Sequence, residues 1–189
     1  MADGRQKTGF GIACGGRTFP AGLRALQVPD FVLQCLDSRM QRRYIRELQP
    51  TTVYDLAAMV ALYRPGPMDN IPAYIRRKHG QEKVTYLHPL LEPYLEKTYG
   101  IFVYQEDIMS AAIALGGFTG PEADTLGYAI RKKKSAVLRA QKEKFVTQAA
   151  ERGVAADVID AVSKAFEPFE RYGFNKAHAT CYGLIAYQT

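Results

Sequence analysis

After Asp30, apolar positions recur at three- and four-residue spacing in block after block, with turn-forming residues between the blocks. Ser38 followed by Gln41 has the spacing of a capping box and opens RMQRRYIREL. Thr52 followed by Asp55 opens VYDLAAMVALY in the same way. The prolines of YRPGPM end that helix, because a ring nitrogen cannot donate and the residue before it avoids helical dihedrals. A short helix is expected after Asn70 through His79, and another in HPLLEPYLEKT near 89–97. TYGIFVY is the one strand-like run, but it is short and leads into QEDIMSAAIAL, which has helical spacing. Thr119 with Glu122 forms a further capping box, with Pro121 in the first turn where proline is tolerated. Helices then run to about Lys133 and from about Ser135 to Arg152, AADVIDAVSKAF forms another, and the last starts at Asn175, a good N-cap residue. No alternating run is long enough to build a sheet. The expected fold class is all-α, an irregular multi-helix domain with at most one short strand-like segment.

Residues 1–30 read differently. Six glycines fall between Gly4 and Gly22 with neither helical nor strand period, which predicts a flexible N-terminal segment. GFGIACGG has the glycine content of a phosphate loop but lacks the apolar strand before it and the helix after it. At 189 residues, with 47% apolar and 23% charged residues, the chain suits one domain with room for an appendage. No apolar run is long enough for a membrane span. The N-terminus has no secretory h-region. Cys14, Cys35 and Cys181 are far apart, and His79, His88 and His178 do not pair with them at zinc spacing. These features predict a reducing, cytoplasmic location and no structural metal.

Charge sharpens the picture. Between Gly127 and Lys144 lie seven basic residues (Arg131, Lys132, Lys133, Lys134, Arg139, Lys142 and Lys144) and one acid, Glu143. This stretch alone carries as much charge as the whole chain, +6. With Ile130 to Val146 placed on one helix, the cations Arg131, Lys132, Lys134, Arg139 and Lys142 share a broad sector. Ile130, Val137, Leu138, Ala140 and Phe145 lie largely opposite. Such a row attracts phosphates without reading bases; a plain solvated face is the competing reading.

Catalytic chemistry is harder to find. Two-metal phosphoryl or nucleotidyl transfer needs carboxylates close enough to share ions. Glu106 and Asp107 are adjacent on a helix and point apart. Asp157 and Asp160 share a polar face that reads as surface. No G-x-S-x-G, HExxH or complete P-loop is present. His178 has the intrinsic pKa for acid–base work, yet among aromatic neighbours it reads more readily as a packed residue. No catalytic residue and no metal ligand is assigned.

Several segments together resemble the family C replicative polymerases, the bacterial DNA polymerase III alpha subunits. They are ALYRPGPM (61–68), YIRRKHG (74–80), HPLLEPYLEKTYGIFVYQEDIM (88–109), LGGFTGPEADTL (115–126), the lysines at 132–134 and YGFNKAHATCYGLIAYQT (172–189). The resemblance covers about residues 38 to 189; 31–37 match only faintly and 1–30 do not. It implies that 31–189 is a fingers domain closing over an incoming deoxynucleotide. It also implies that the palm aspartates holding Mg2+ lie outside the chain, so that this piece is inactive alone. The implied function is part of a DNA-directed DNA polymerase, with dNTP, template-primer DNA and other replicase subunits as partners and no membrane. The alternative is a stand-alone helical nucleic-acid-binding module without catalysis.

Within that resemblance, residue chemistry suggests roles. Arg131, Lys132 and Lys133 lead as triphosphate contacts. Arg64, between Tyr63 and Pro65, is a second, or else braces its turn. Asn175 and Lys176 open a helix whose free N–H groups attract phosphate, and His178 completes the nucleotide-binding set. Tyr172, Phe174 and Tyr182 stack on a base or fill the core, with Phe174 favoured as core. Lys134, Arg139 and Lys142 suit the DNA backbone. There is one departure: where the family shows two arginines and then Ala-Met-Gly-Lys-Lys, this chain reads GYAIRKK. Gly127 and Tyr128 replace the arginines and Arg131 takes the glycine position. The charge moves four residues, about one helical turn, and Arg131 is expected to compensate.

Overall fold

The computed structural model describes residues 39–64 and 66–188. The Ser38 cap and the expected flexible segment at 1–30 lie outside them, as does the side chain of Tyr172. The described residues form helices and turns, with no strand among them. The helices are α1 (Arg39–Leu48), α2 (Val53–Leu62), α3 (Ile71–Lys78), α4 (Glu92–Leu95), α5 (Gln105–Gly116), α6 (Gly120–Arg131), α7 (Ser135–Glu151), α8 (Ala156–Tyr172) and α9 (Lys176–Gln188).

Two apolar clusters organise them. The first gathers Ile45 and Leu48 of α1, Leu56 to Leu62 of α2, Ile71 and Tyr74 of α3, and Ala179 and Ala186 of α9. The second gathers Ile108 and Leu115 of α5, Leu126 and Ile130 of α6, Leu138 and Phe145 of α7, and Ile159, Phe166 and Phe169 of α8. Between them runs the strand-like stretch. It is extended but has no partner strand: Ile101 and Val103 enter the first cluster, while Phe102 packs on the second. Its two-residue period therefore serves two cores rather than a sheet.

The capping boxes form at Thr52–Asp55 and Thr119–Glu122. Asp55 also accepts from Thr51 N at 2.9 Å and lies 3.6 Å from the largely buried Lys78 Nζ, which ties α2 to α3. Helix α5 ends where Gly117 takes a left-handed φ of 71°, a conformation that glycine adopts without strain. Helix α9 lies so close along α2 that a Cβ on Gly183 would stand 2.9 Å from Ala57 N.

Two expectations change. The helix placed from Ile130 to Val146 to align the cations is two helices, with ends close to the expected Lys133 and Ser135. Helix α6 stops at Arg131, Lys133 takes a left-handed φ of 52°, and α7 begins at Ser135. The left-handed Lys133 turns the chain, and no side-chain cap forms at Lys134. Ile130, Leu138 and Phe145 are buried as expected, but Val137 and Ala140 face solvent. Helix α8 runs past Phe166 through Pro168 to Tyr172. Phe166 and Phe169 on either side of the proline both pack into the second cluster, so tertiary packing carries the helix across the missing N–H.

Candidate nucleotide and phosphate-binding face

The segment Gly173–Lys176 joins the two clusters. Gly173 sits against α6 so tightly that a Cβ there would overlap Ile130 Cγ2. Phe174 is buried in the first cluster. Three hydrogen bonds then tie the segment to the start of α5. Gln105 N donates to Phe174 O at 3.0 Å. Asn175 Nδ2 donates to Glu106 Oε1 at 2.7 Å, and Lys176 N donates to Glu106 Oε2 at 2.9 Å. Asn175 caps α9 as its residue type predicts: its Oδ1 accepts from His178 N at 2.9 Å.

Arg64 comes in from the end of α2. Its guanidinium carbon lies 3.8 Å from the centroid of the Phe174 ring, a cation–π contact. No acidic side chain faces it among the described residues, and burial lowers its pKa. An unpaired, partly desolvated guanidinium is a strong site for a phosphate, because it offers a planar fork of donors.

His178 is packed between rings, 5.4 Å from Phe174 and 4.7 Å from Tyr182 by centroid. Tyr182 is exposed, so its ring is open to a base or sugar. Lys176 Nζ lies 5.5 Å from the Tyr104 ring, and a shallow groove beside it is lined by Glu106, Thr180, Cys181 and Leu184.

The basic run divides by environment. Arg131, Lys132, Lys133, Lys134 and Arg139 are exposed, with no acidic partner among the described residues. Lys142 pairs with Glu167 at 3.4 Å, and Lys144 pairs with Glu122. That second pairing, with the Thr119 N–H, holds the Glu122 carboxyl down to about 2. Arg131 folds back toward Gly127. A Cβ on Gly127 would lie 3.2 Å from Arg131 Nη1 and 2.6 Å from Met109 Sδ. The guanidinium thus lies over the position that Gly127 leaves free.

The structure brings Arg64, Asn175, Lys176 and His178 together around Phe174. Ile130 packs on Gly173, but the guanidinium of its neighbour Arg131 lies by Gly127, and Lys132, Lys133 and Lys134 continue in the turn to α7. Arg139 and Lys142 stand farther along α7. The free N–H groups expected at the start of α9 are partly taken: Glu106 and Asn175 occupy two of them. Sequence reasoning missed Glu106. Its neighbour Asp107 does point elsewhere, accepting from Val103 N at 2.9 Å and Tyr104 N at 2.8 Å as the cap of α5. Burial pushes the Asp107 carboxyl up to about 6 against the pull of those two N–H groups. No spacing rule links residue 106 to 175 and 176; only the folded chain does.

Among the described residues, no three His, Cys, Asp or Glu side chains converge to hold a metal ion, so they do not fit the Mg2+ that the resemblance implies. No helix among the described residues is long and apolar enough to cross a membrane. A sequence model described as the bacterial DNA polymerase III alpha subunit finger domain matches residues 29–153. Over 153 residues the chain is 49% identical to the DNA polymerase III subunit alpha of Halalkalibacterium halodurans, covering 81% of this chain and 14% of that protein. It is 45% identical to the proteins of the same name from Aquifex aeolicus and Thermus aquaticus, covering 82% of this chain and 13% of each. The chain spans about one seventh, or slightly less, of the length of these relatives.

Proposed function

Because the chain belongs to the family of the bacterial DNA polymerase III alpha subunit finger domain, we propose that it forms the fingers of a replicative DNA-directed DNA polymerase. In this reading residues 31–189 are the domain, and it binds the triphosphate of the incoming dNTP and the backbone of the template-primer. The remaining replicase subunits engage regions outside this chain, and the enzyme works in the cytoplasm.

One observation supports the reading: the Arg64 guanidinium, with no acidic partner among the described residues, rests on the ring of Phe174 in the segment 173–176. A nucleoside triphosphate carries several negative charges, and more develop as pyrophosphate leaves. Cations positioned in advance stabilise that charge without reorganising when it forms. Lys132 and Lys133 extend the positive field along the turn to α7. Lys176 supplies its ammonium at the start of α9, which Asn175 caps while bonded to Glu106, and the exposed Tyr182 beside His178 offers a stacking face. Lys134, Arg139 and Lys142 lie farther along and suit the DNA backbone. The ion pair of Lys142 with Glu167 is surface-exposed and cheap to break.

The test is equilibrium binding of dATP and of a primer-template duplex to this chain, with dATP also measured against Arg131→Ala/Lys132→Ala/Lys133→Ala. The reading requires dATP affinity to fall in the triple variant while Arg139→Ala/Lys142→Ala mainly loses duplex affinity. If both variants lose duplex affinity and wild type never binds dATP, the chain is a nucleic-acid-binding module instead.

A further inference from the structure

We infer that Glu106 is a positioning residue for the nucleotide face, acting through the segment Phe174–Lys176 on Arg64. This inference rests on the dNTP-binding reading above.

Glu106 has the properties of an anchor rather than a surface acid. Its carboxylate accepts three hydrogen bonds: from Asn175 Nδ2 at 2.7 Å, from Lys176 N at 2.9 Å and from Gln105 Nε2 at 3.2 Å. The first two come from residues about 70 positions away in the chain. Beside them, Gln105 N donates to Phe174 O. Residues 174, 175 and 176 are therefore each bonded to residue 105 or 106. The start of α5 is itself fixed, because Asp107 caps it through Val103 N and Tyr104 N. Gln105 is only 1% exposed, and its Oε1 has no hydrogen-bond partner. A buried acceptor left unpaired is unfavourable, and here its amide nitrogen supports the Glu106 carboxylate.

The consequence reaches Arg64 through Phe174. The guanidinium rests on the Phe174 ring and, among the described residues, has no acid to aim it. Its direction is set by that ring, and the ring's place is set by the backbone bonds at 174–176. Glu106 also occupies the first N–H of α9, where a helix N-terminus favours negative charge. It thereby directs the substrate's phosphates toward the side chains of Arg64 and Lys176 and away from that N–H.

The experiment is a double-mutant cycle on dATP binding to this chain, with folding followed by circular dichroism. Arg64→Ala, Glu106→Ala and the double variant are compared with wild type. Loss of one charged hydrogen-bond partner predicts about tenfold weaker binding for each single variant. If Glu106 acts through Arg64, the double variant binds no more weakly than Arg64→Ala alone. Glu106→Gln keeps one acceptor oxygen and falls between wild type and Glu106→Ala; it takes the place of Glu106→Ala if alanine unfolds the chain. Unchanged binding in the Glu106 variants while Arg64→Ala weakens it overturns the positioning role and leaves the nucleotide reading standing. Losses that add fully in the double variant also overturn it. No loss in Arg64→Ala removes the nucleotide role of Arg64 and the positioning role together.

Discussion

Arg131 and Glu122 show how single residues answer to their surroundings. Arg131 lies over Gly127, where a side chain would meet both it and Met109. If it compensates for the arginines expected at 127 and 128, Arg131→Ala in an intact polymerase raises the KM for dNTP several-fold with little change in primer-template affinity. Steady-state kinetics at fixed primer-template checks this, and an unchanged KM contradicts it. Glu122 makes a different prediction. Lys144 and Thr119 hold its carboxyl at about 2 in the folded chain, below the ordinary 4.5. The unfolded chain therefore takes up this proton first as pH falls. The stabilisation is complete above about pH 4.5 and is lost as pH drops toward 2. Thermal melts of Glu122→Gln should lie below wild type at pH 6 and converge with it near pH 2 to 3. A constant gap across that range counts against the pairing. Glu106 was not legible at this scale, because its partners lie about 70 residues away and no local pattern encodes them. Asn175 was legible, because N-cap chemistry is local.

At the scale of elements, glycine marks the close approaches. On α9, Gly183 lets the helix lie on Ala57 of α2, and a Cβ would stand 2.9 Å from a backbone nitrogen that cannot swing aside. Gly183→Ala should cost about 1–3 kcal/mol by overpacking, lowering Tm by several degrees in a calorimetric scan; an unchanged Tm would show that the two helices have room. Most element boundaries were readable because caps and prolines announce them within four residues, as at Thr52, Thr119 and the prolines of YRPGPM. The break at Lys132–Lys134 was read where it falls, near Lys133 and Ser135, yet the row of cations was laid on one helix across it because helical spacing continues there; the left-handed Lys133 separates α6 from α7. Helix α8 runs beyond the expected AADVIDAVSKAF: the local effect of Pro168 is to stop a helix, but Phe166 and Phe169 bury on both sides of it. Tertiary packing decides this case, and periodicity does not record it.

Across the whole molecule, two apolar clusters meet at residues 101–104 and 173–174, and Arg64 rests on the Phe174 ring there. The all-α class was legible from the sequence because no segment alternates long enough to form a sheet. The junction was not, because it depends on an extended stretch facing two cores at once. In the proposed function, phosphate contacts at this junction make the grip sensitive to how the two clusters sit, which is how a closing domain can couple substrate capture to movement. The central claim is that this chain grips a nucleoside triphosphate by its phosphates. The most direct measurement compares the affinity of the chain for dATP and dAMP across a salt series. The account predicts that dATP binds more tightly than dAMP, and that its affinity falls steeply as salt rises while that of dAMP falls little. Equal affinities, or a dATP affinity indifferent to salt, would contradict it.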